Sequence, residues 1–124
     1  GSVRRDESGG EMAAQAGAAG LFQKHPEVDG LLALVDAFAV GALKAAKAVG
    51  LDVPGRLKVA TRYDGLRAKL SSPPLTALDL HLDEVAALGV ELLAKHMAEA
   101  GVPAVLWPSK PELVARGSTV AEAK

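Results

Sequence analysis

Apolar residues in this chain fall into two rhythms, and their alternation outlines the fold. Gly30-Leu31-Leu32-Ala33-Leu34-Val35 is a short continuous apolar run, the pattern of a strand buried on both faces of a parallel sheet. Leu57-Lys58-Val59-Ala60-Thr61 reads as a second, central strand. Leu75 to Leu78 reads as a third, after the extended Pro73-Pro74. Helical stretches lie between and around them. Ser8 with Glu11 three residues on has capping-box spacing for a first helix that runs to about Lys24, where Pro26 stops it. Asp36 directly follows the first run, placed to accept backbone N–H groups as a second helix starts, and Gly50 supplies a left-handed stop. From Leu82 to Ala100, Leu82, Val85, Gly89, Leu92, Leu93 and Met97 share one helical face, with Gly101 as terminator. Val3 to Arg5 is expected as a short edge strand, and Val102 to Trp107 and Glu112 to Arg116 as the last strands, separated by Pro108 and Pro111. Strands joined through helices by short connections imply right-handed crossovers, hence a three-layer α/β/α class with a mainly parallel sheet.

Composition narrows the function. At 124 residues and 49% apolar, the chain can bury one respectable core. Its net charge of −1, with no basic cluster, argues that this chain is not the part that grips a phosphate backbone. The absence of cysteine removes disulfides and thiolate metal sites and fits a cytoplasmic protein. No apolar run approaches the roughly 18 residues of a membrane span, and no basic-then-apolar leader opens the sequence, so neither a membrane nor export is expected. Phe22, Phe38, Tyr63 and Trp107 are too few to build a stacking surface for single-stranded nucleic acid.

Catalytic signatures are missing. There is no G-x-S-x-G elbow, Walker loop or G-x-G-x-x-G, and Gly9-Gly10 lacks the rest of either glycine pattern. His25, His81 and His96 are too scattered for an i, i+4 metal pair, so no metal, cofactor or enzymatic activity is expected. The nearest constellation is Asp79-Leu80-His81-Leu82-Asp83-Glu84. Its simplest meaning is that Asp83 and Glu84 cap a helix N-terminus; a small α/β enzyme using Asp79, His81 and Asp83 is the distant alternative.

Four segments in order carry a resemblance. Asp36 to Pro54 reads D-A-F-A-V-G-A-L-K-A-A-K-A-V-G-L-D-V-P, Leu57 to Asp64 reads L-K-V-A-T-R-Y-D, Ser72 to Leu78 reads S-P-P-L-T-A-L, and Pro111 to Thr119 reads P-E-L-V-A-R-G-S-T. Together they resemble the "N-D-x-x-A-x-G-A-L…G-L-x-V-P", "V-x-V-V-G-F-D-D", "P-P-L-T-T" and "L-V-x-R-x-S-T" segments of the lactose-repressor/galactose-repressor family of bacterial transcription regulators. The resemblance covers nearly the whole chain from about Ser8. It implies a partial periplasmic-binding-protein-like type I domain: 1–80 as the C-terminal effector subdomain lacking its first elements, 81–109 as a helix and strand belonging to the other subdomain, and 110–124 as the returning strand and tail. It further implies an operator-binding helix-turn-helix that is absent from this sequence, consistent with Gly1-Ser2 reading as a cloning scar.

In an open parallel sheet, ligands sit outside the carboxyl ends of the strands, and the family resemblance points to the same loops for a small-molecule effector. The candidate effector residues are therefore Val35, Asp36, Arg62, Tyr63, Asp64, Asp79, Leu80 and His81. Relative to the family, Val35, Tyr63 and Leu80 stand where an Asn, an Asp and a Gln are usual. A buried sugar hydroxyl left without such partners costs on the order of 1–3 kcal/mol, so the effector is not expected to be a simple neutral sugar. Arg62 could fork an acidic effector, or pair with Asp64 on the surface. The resemblance also implies a homodimer, with Val40, Leu43, Lys44 and Lys47 on one helix and Leu66 and Leu70 in the loop from Gly65 to Ser72 as candidate contacts; Val40 and Leu43 could instead pack on the sheet. A periplasmic solute-binding protein shares the fold and is the alternative function, although the L-V-A-R-G-S-T ending favours the regulator.

Overall fold

The computed structural model describes residues 7–99, 101–104 and 109–121. Its elements, in chain order, are α1 (Glu7–Lys24), β1 (Gly30–Ala33), α2 (Asp36–Ala48), β2 (Lys58–Thr61), α3 (Leu66–Leu70), β3 (Thr76–Asp79), α4 (Leu82–Ala98) and β4 (Glu112–Val114). The strands form one sheet in the order β1-β2-β3-β4. Leu31 pairs with Val59 and Ala60 with Thr76 in parallel ladders, and β4 closes the sheet antiparallel to β3 with Leu78 opposite Leu113. The mainly parallel α/β arrangement is the one the alternating runs imply.

Neighbouring parallel strands joined by right-handed crossovers place α2 and α3 on the same sheet face. There α2 lies over β1 and β2 and touches α3, while α1 packs along α2. Small residues make this possible. Ala39, Ala42, Ala45 and Ala46 of α2 are buried together with Leu43, and with Ala18 and Phe22 of α1, over Leu57, Val59, Leu75 and Ala77. At Gly41 the helices nearly touch: a Cβ there would stand 2.5 Å from the Glu11 carbonyl oxygen and 2.9 Å from Ala14 Cβ. An ion pair between Lys44 and Glu11 crosses the same seam.

The helix stops follow the sequence. Gly50 and Gly101 adopt φ of 76° and 83°, the left-handed region in which glycine carries no steric penalty. Other expectations need correction. The first apolar run is an edge strand, not one buried on both faces: Leu32 is 66% exposed because no described element packs on that side of the sheet. Helix α1 already begins at Glu7, so Ser8 lies within it rather than capping it, and the expected strand Val3 to Arg5 falls outside the described residues. The Gly65–Ser72 loop contains the short helix α3. Residues 102–104 form no strand, and the remainder of the expected Val102–Trp107 strand lies outside the described residues. β4 stops at Val114, before the expected Arg116, because from Arg116 onward the backbone turns to bond Thr76, Pro74 and Val59.

Helix α4 forms where the periodicity puts it, but none of its residues is buried. Leu82, Val85, Leu93 and Met97, the last at 82% exposure, face solvent, so the helix does not fold back to hide this face on the rest of the described chain. An unshielded stripe of this kind drives association. Sedimentation of the 124-residue chain should therefore show self-association that deleting the stripe, as in Val85→Asp/Leu93→Asp, abolishes; a stable monomer with a helical, solvated α4 would refute this. A second expectation concerns the α1–α2 seam. Gly41→Ala should lower the unfolding free energy by about 1–3 kcal/mol in a urea titration, since the obstructing Glu11 and Gln15 backbone atoms and the Ala14 Cβ cannot swing aside.

Candidate functional site

Because β2 and β3 are parallel neighbours, their carboxyl ends emerge side by side and the segments that follow them converge. They enclose a cavity of about 310 Å³ lined by Tyr63, Asp64 and Lys69 on one side and Asp79, Leu80, His81, Leu82, Asp83 and Glu84 on the other. Thus Tyr63, Asp64, Asp79, Leu80 and His81 come together as expected from the sequence. Val35, Asp36 and Arg62 do not line this cavity.

Each wall has a local cause. After β3, the Asp79 side chain accepts the His81 N–H through Oδ1 at 2.9 Å, a turn that directs the chain into α4. His81 itself takes a left-handed backbone, φ 51° and ψ 45°. Asp83 and Glu84 occupy the first turn of α4, where the helix dipole favours carboxylates, although no side chain makes a capping hydrogen bond there. On the other wall, Tyr63 lies across Gly65: a Cβ at Gly65 would come within 2.4 Å of the ring. The glycine is what lets the phenol settle at the cavity edge.

Asp64 has a different partner from the one expected. Its Oδ1 lies 2.7 Å from Arg116 Nη2, with side chains only 12% and 17% exposed, and Arg116 Nη1 also donates to the Leu75 carbonyl at 2.8 Å. Arg62 is exposed and makes no ion pair among the described residues; only its backbone N–H is engaged, with the Ala33 carbonyl at 3.3 Å. Next to Arg116, Ser118 is fully buried. Its N–H donates to the Pro74 carbonyl, its carbonyl accepts from Val59, its hydroxyl donates to the Val59 carbonyl and accepts from the Thr76 N–H. Arg116 and Lys69 were not among the sequence candidates. The signal for Arg116 was an isolated cation amid apolar residues just before Ser-Thr, whereas Lys69 had none, since its place depends on α3.

Asp36 turns to another part of the molecule. Its Oδ1 accepts the Ala37 N–H at 2.7 Å and Arg67 Nη1 at 3.0 Å, joining the starts of α2 and α3. Here Val40, Leu66, Arg67, Leu70 and Ser71 line an open groove with it. Among the candidate dimer contacts, Val40, Leu66 and Leu70 meet on this groove, Lys47 is exposed, Lys44 is engaged by Glu11, and Leu43 is buried in the core. Val35 is an exposed, extended residue preceding α2.

The Arg116–Asp64 pair predicts a non-additive mutant cycle. Arg116→Met alone leaves the largely buried Asp64 carboxylate without its cation and should cost about 3 kcal/mol of stability. Adding Asp64→Leu should recover most of that, because exchanging both members of a buried pair for apolar groups is often near neutral. Urea unfolding of the two single variants and the double variant checks it; strictly additive losses would show that the pair is not coupled.

Residues 2–119 match the profile of the periplasmic binding protein-like domain. The sequence is 37% identical over 90 residues to an uncharacterized HTH-type transcriptional regulator in the aml 5′ region of Streptomyces limosus, an alignment covering 73% of this chain and 26% of that protein. It is 29% identical over 100 residues to the ribose operon repressor of Halalkalibacterium halodurans, covering 80% of this chain and 30% of the repressor. A LacI family transcriptional regulator from Arthrobacter sp. FB24, solved in complex with lactose, superposes with a TM-score of 0.79 at 36% identity over 89% of this chain and 42% of that one. The chain therefore spans less than half the length of these relatives, which are named as transcription regulators. No helix among the described residues is long and apolar enough to cross a membrane. With the profile matching nearly its whole length, the chain belongs to the periplasmic binding protein-like domain family, and it corresponds to the C-terminal part of the effector-binding domain of LacI-type regulators.

Proposed function

We propose that this chain is the effector-binding and dimerisation region of a LacI-type, ligand-controlled repressor that acts in the cytoplasm. The carrying observation is a polar cavity at the carboxyl ends of β2 and β3 in a chain whose relatives are transcription regulators. Regulator relatives favour this reading over a periplasmic solute-binding protein. Operator DNA is contacted by a helix-turn-helix that lies outside these 124 residues, in keeping with the near-neutral charge of this chain. Residues 1–80 and 110–124 belong to one subdomain and 81–109 to the other; an amphipathic α4 that buries nothing against the sheet supports that division. Homodimerisation uses the groove of Val40, Leu66 and Leu70.

The lining favours certain effectors. Carboxylates of Asp64, Asp79, Asp83 and Glu84 outnumber the ammonium of Lys69, which disfavours an anionic ligand, and Arg62 stands off the cavity. Carboxylates accept hydrogen bonds from hydroxyl and amino groups, so the ligand presents such donors. The lactose bound by the Arthrobacter relative has this chemistry. Tyr63 and Leu80, the cavity residues that stand where the family resemblance puts an Asp and a Gln, supply few of the partners a single sugar ring needs, so the effector is larger than a monosaccharide and reaches both walls. Bound between Tyr63 and the first turn of α4, it favours one orientation of the two subdomains and thereby changes the geometry of the DNA-binding dimer.

Calorimetric titration of the full-length regulator tests the reading. Glucose and galactose should bind weakly or not at all, and an oligosaccharide that binds should lose at least about tenfold in affinity with Asp79→Asn, because a hydrogen bond to a charged group is worth about 1.5–3 kcal/mol. Micromolar binding of a free monosaccharide, or binding that depends on Arg62 and not on Asp79, would overturn it.

A further inference from the structure

Tyr63 is the single tyrosine of the chain and the one aromatic ring lining the cavity at the ends of β2 and β3. It stands where the family resemblance puts a carboxylate, so its role is this chain's own. Phe22 and Phe38 belong to the core, the first buried and the second packed partly buried against it. Tyr63 is 43% exposed. An open ring that wanders among rotamers loses that freedom when a ligand fixes it, but this one is held in place. Before it, the Arg62 N–H donates to the Ala33 carbonyl at 3.3 Å; after it, Asp64 is ion-paired with Arg116, and the Gly65 carbonyl takes the Lys69 N–H at 3.2 Å.

The ring itself leans on Gly65, where a Cβ would stand 2.4 Å from Cε1, 2.9 Å from Cδ1 and 3.2 Å from Cζ. Gly65 has φ −93° and ψ 178°, a conformation open to any residue. Its backbone does not call for glycine; the seat of the ring does. Most of the remaining lining is charged, with Asp64, Asp79, Asp83, Glu84 and Lys69. Sugar rings are not polar all round: hydroxyls project about the rim, while C–H groups form apolar faces. Carboxylates satisfy the rim and cannot shelter a face. An aromatic ring can, by dispersion and by the attraction of its negative face for polarised C–H groups.

We propose that Tyr63 is the platform on which one sugar ring of the effector stacks, and that Gly65 is the positioning residue that seats it. The inference rests on the reading of the effector as an oligosaccharide and adds which side chain recognises a ring face. The aromatic surface carries the interaction, so phenylalanine replaces the tyrosine and an aliphatic side chain does not. A methyl group at Gly65 acts only through the ring: it displaces the phenol, which is free to swing toward solvent, and leaves the backbone where it is.

Two measurements test it. In the 124-residue chain labelled with ¹³C-tyrosine, the single set of ring signals should shift in Gly65→Ala while the amide spectrum of the sheet persists. Gly20→Ala, whose Cβ would meet nothing within 4 Å, should leave those signals unchanged; an unmoved ring in Gly65→Ala overturns the role of the glycine. Calorimetric titration of the full-length regulator with lactose, cellobiose, maltose and raffinose then uses as probe whichever binds the wild type. Tyr63→Phe should stay within about twofold, whereas Tyr63→Leu and Gly65→Ala should each lose about fivefold or more, as expected for an aromatic contact. Gly65→Ala added to Tyr63→Leu should cost nothing further, since no ring remains to displace. Equal losses in Tyr63→Phe and Tyr63→Leu, or additive losses in the double variant, overturn the platform. So does a probe weakened by Asp79→Asn and not by Tyr63→Leu, an outcome that leaves the oligosaccharide reading standing; failure of all four sugars to bind removes both.

Discussion

The sheet depends on how β2 is completed on its β3 side. Ala60 is already paired with Thr76, the first residue of β3, so Val59 has no residue of that strand beside it. Its N–H and C=O are both polar groups in a fully buried position, and leaving either unpaired would cost about 1–3 kcal/mol. Ser118 resolves both. Its carbonyl takes the Val59 N–H and its hydroxyl reaches the Val59 carbonyl, while the same residue bonds Pro74 and Thr76. The last turn of the described chain thus acts as a missing piece of strand at the centre of the sheet. A small side chain with one donor and two acceptors is required there, since a larger residue would not fit between β2 and the Pro73-Pro74 segment and alanine would leave polar groups unpaired.

Two residues upstream, the same segment reaches the cavity. Arg116 donates to the Leu75 carbonyl and forms an ion pair with the Asp64 carboxylate, without the alignment of a hydrogen bond to its Oδ1, which ties the loop after β2 to the segment that ends the described chain. Asp64 is consequently an anchor as much as a lining residue, and Tyr63 and Lys69 are carried on a loop fixed at its middle. The Ala-rich packing of α1 on α2, closed to backbone contact at Gly41, supports the other side of the sheet. One wall of the cavity is therefore built on a rigid base. The opposite wall, from Leu82 to Glu84, belongs to a helix with no buried residue.

Much of this arrangement was legible in the residues. Gly50 and Gly101 announced the helix ends because left-handed stops favour glycine, and the strand runs were announced by continuous apolar character bounded by Pro, Asp and Gly. The convergence of Tyr63, Asp64, Asp79, Leu80 and His81 followed from parallel topology alone. What the sequence concealed were facts decided by tertiary distance. The exposure of Leu32 depends on which face of the sheet is left uncovered, and an apolar residue looks the same in sequence on a covered face as on an open one. The choice of Arg116 over Arg62 as the partner of Asp64 joins residues far apart in sequence, and the apolar neighbours of Arg116 mark a cation set among apolar residues without revealing which carboxylate it meets. Leu43 and Lys44 looked available for a partner subunit because helical periodicity does not tell a face covered by α1 from one left open; the structure gives Leu43 to the core and Lys44 to Glu11.

The contrast between the two walls also constrains how a ligand could act in the proposed repressor. A ligand held only by Tyr63, Asp64 and Lys69 would bind equally well whatever the direction of α4, and equal affinity for two states shifts neither. Control requires contact with Leu82, Asp83 or Glu84 as well, since these are the cavity residues that move if α4 does. Moving a two-state equilibrium from 1:99 to 99:1 takes about a 10⁴-fold preference for one state, more than a single hydrogen bond to one carboxylate supplies. The differential contact must therefore be spread over several groups of the α4 wall. That is a reason, independent of the residues at Tyr63 and Leu80, for the effective ligand to be long enough to span from the anchored loop to the helix.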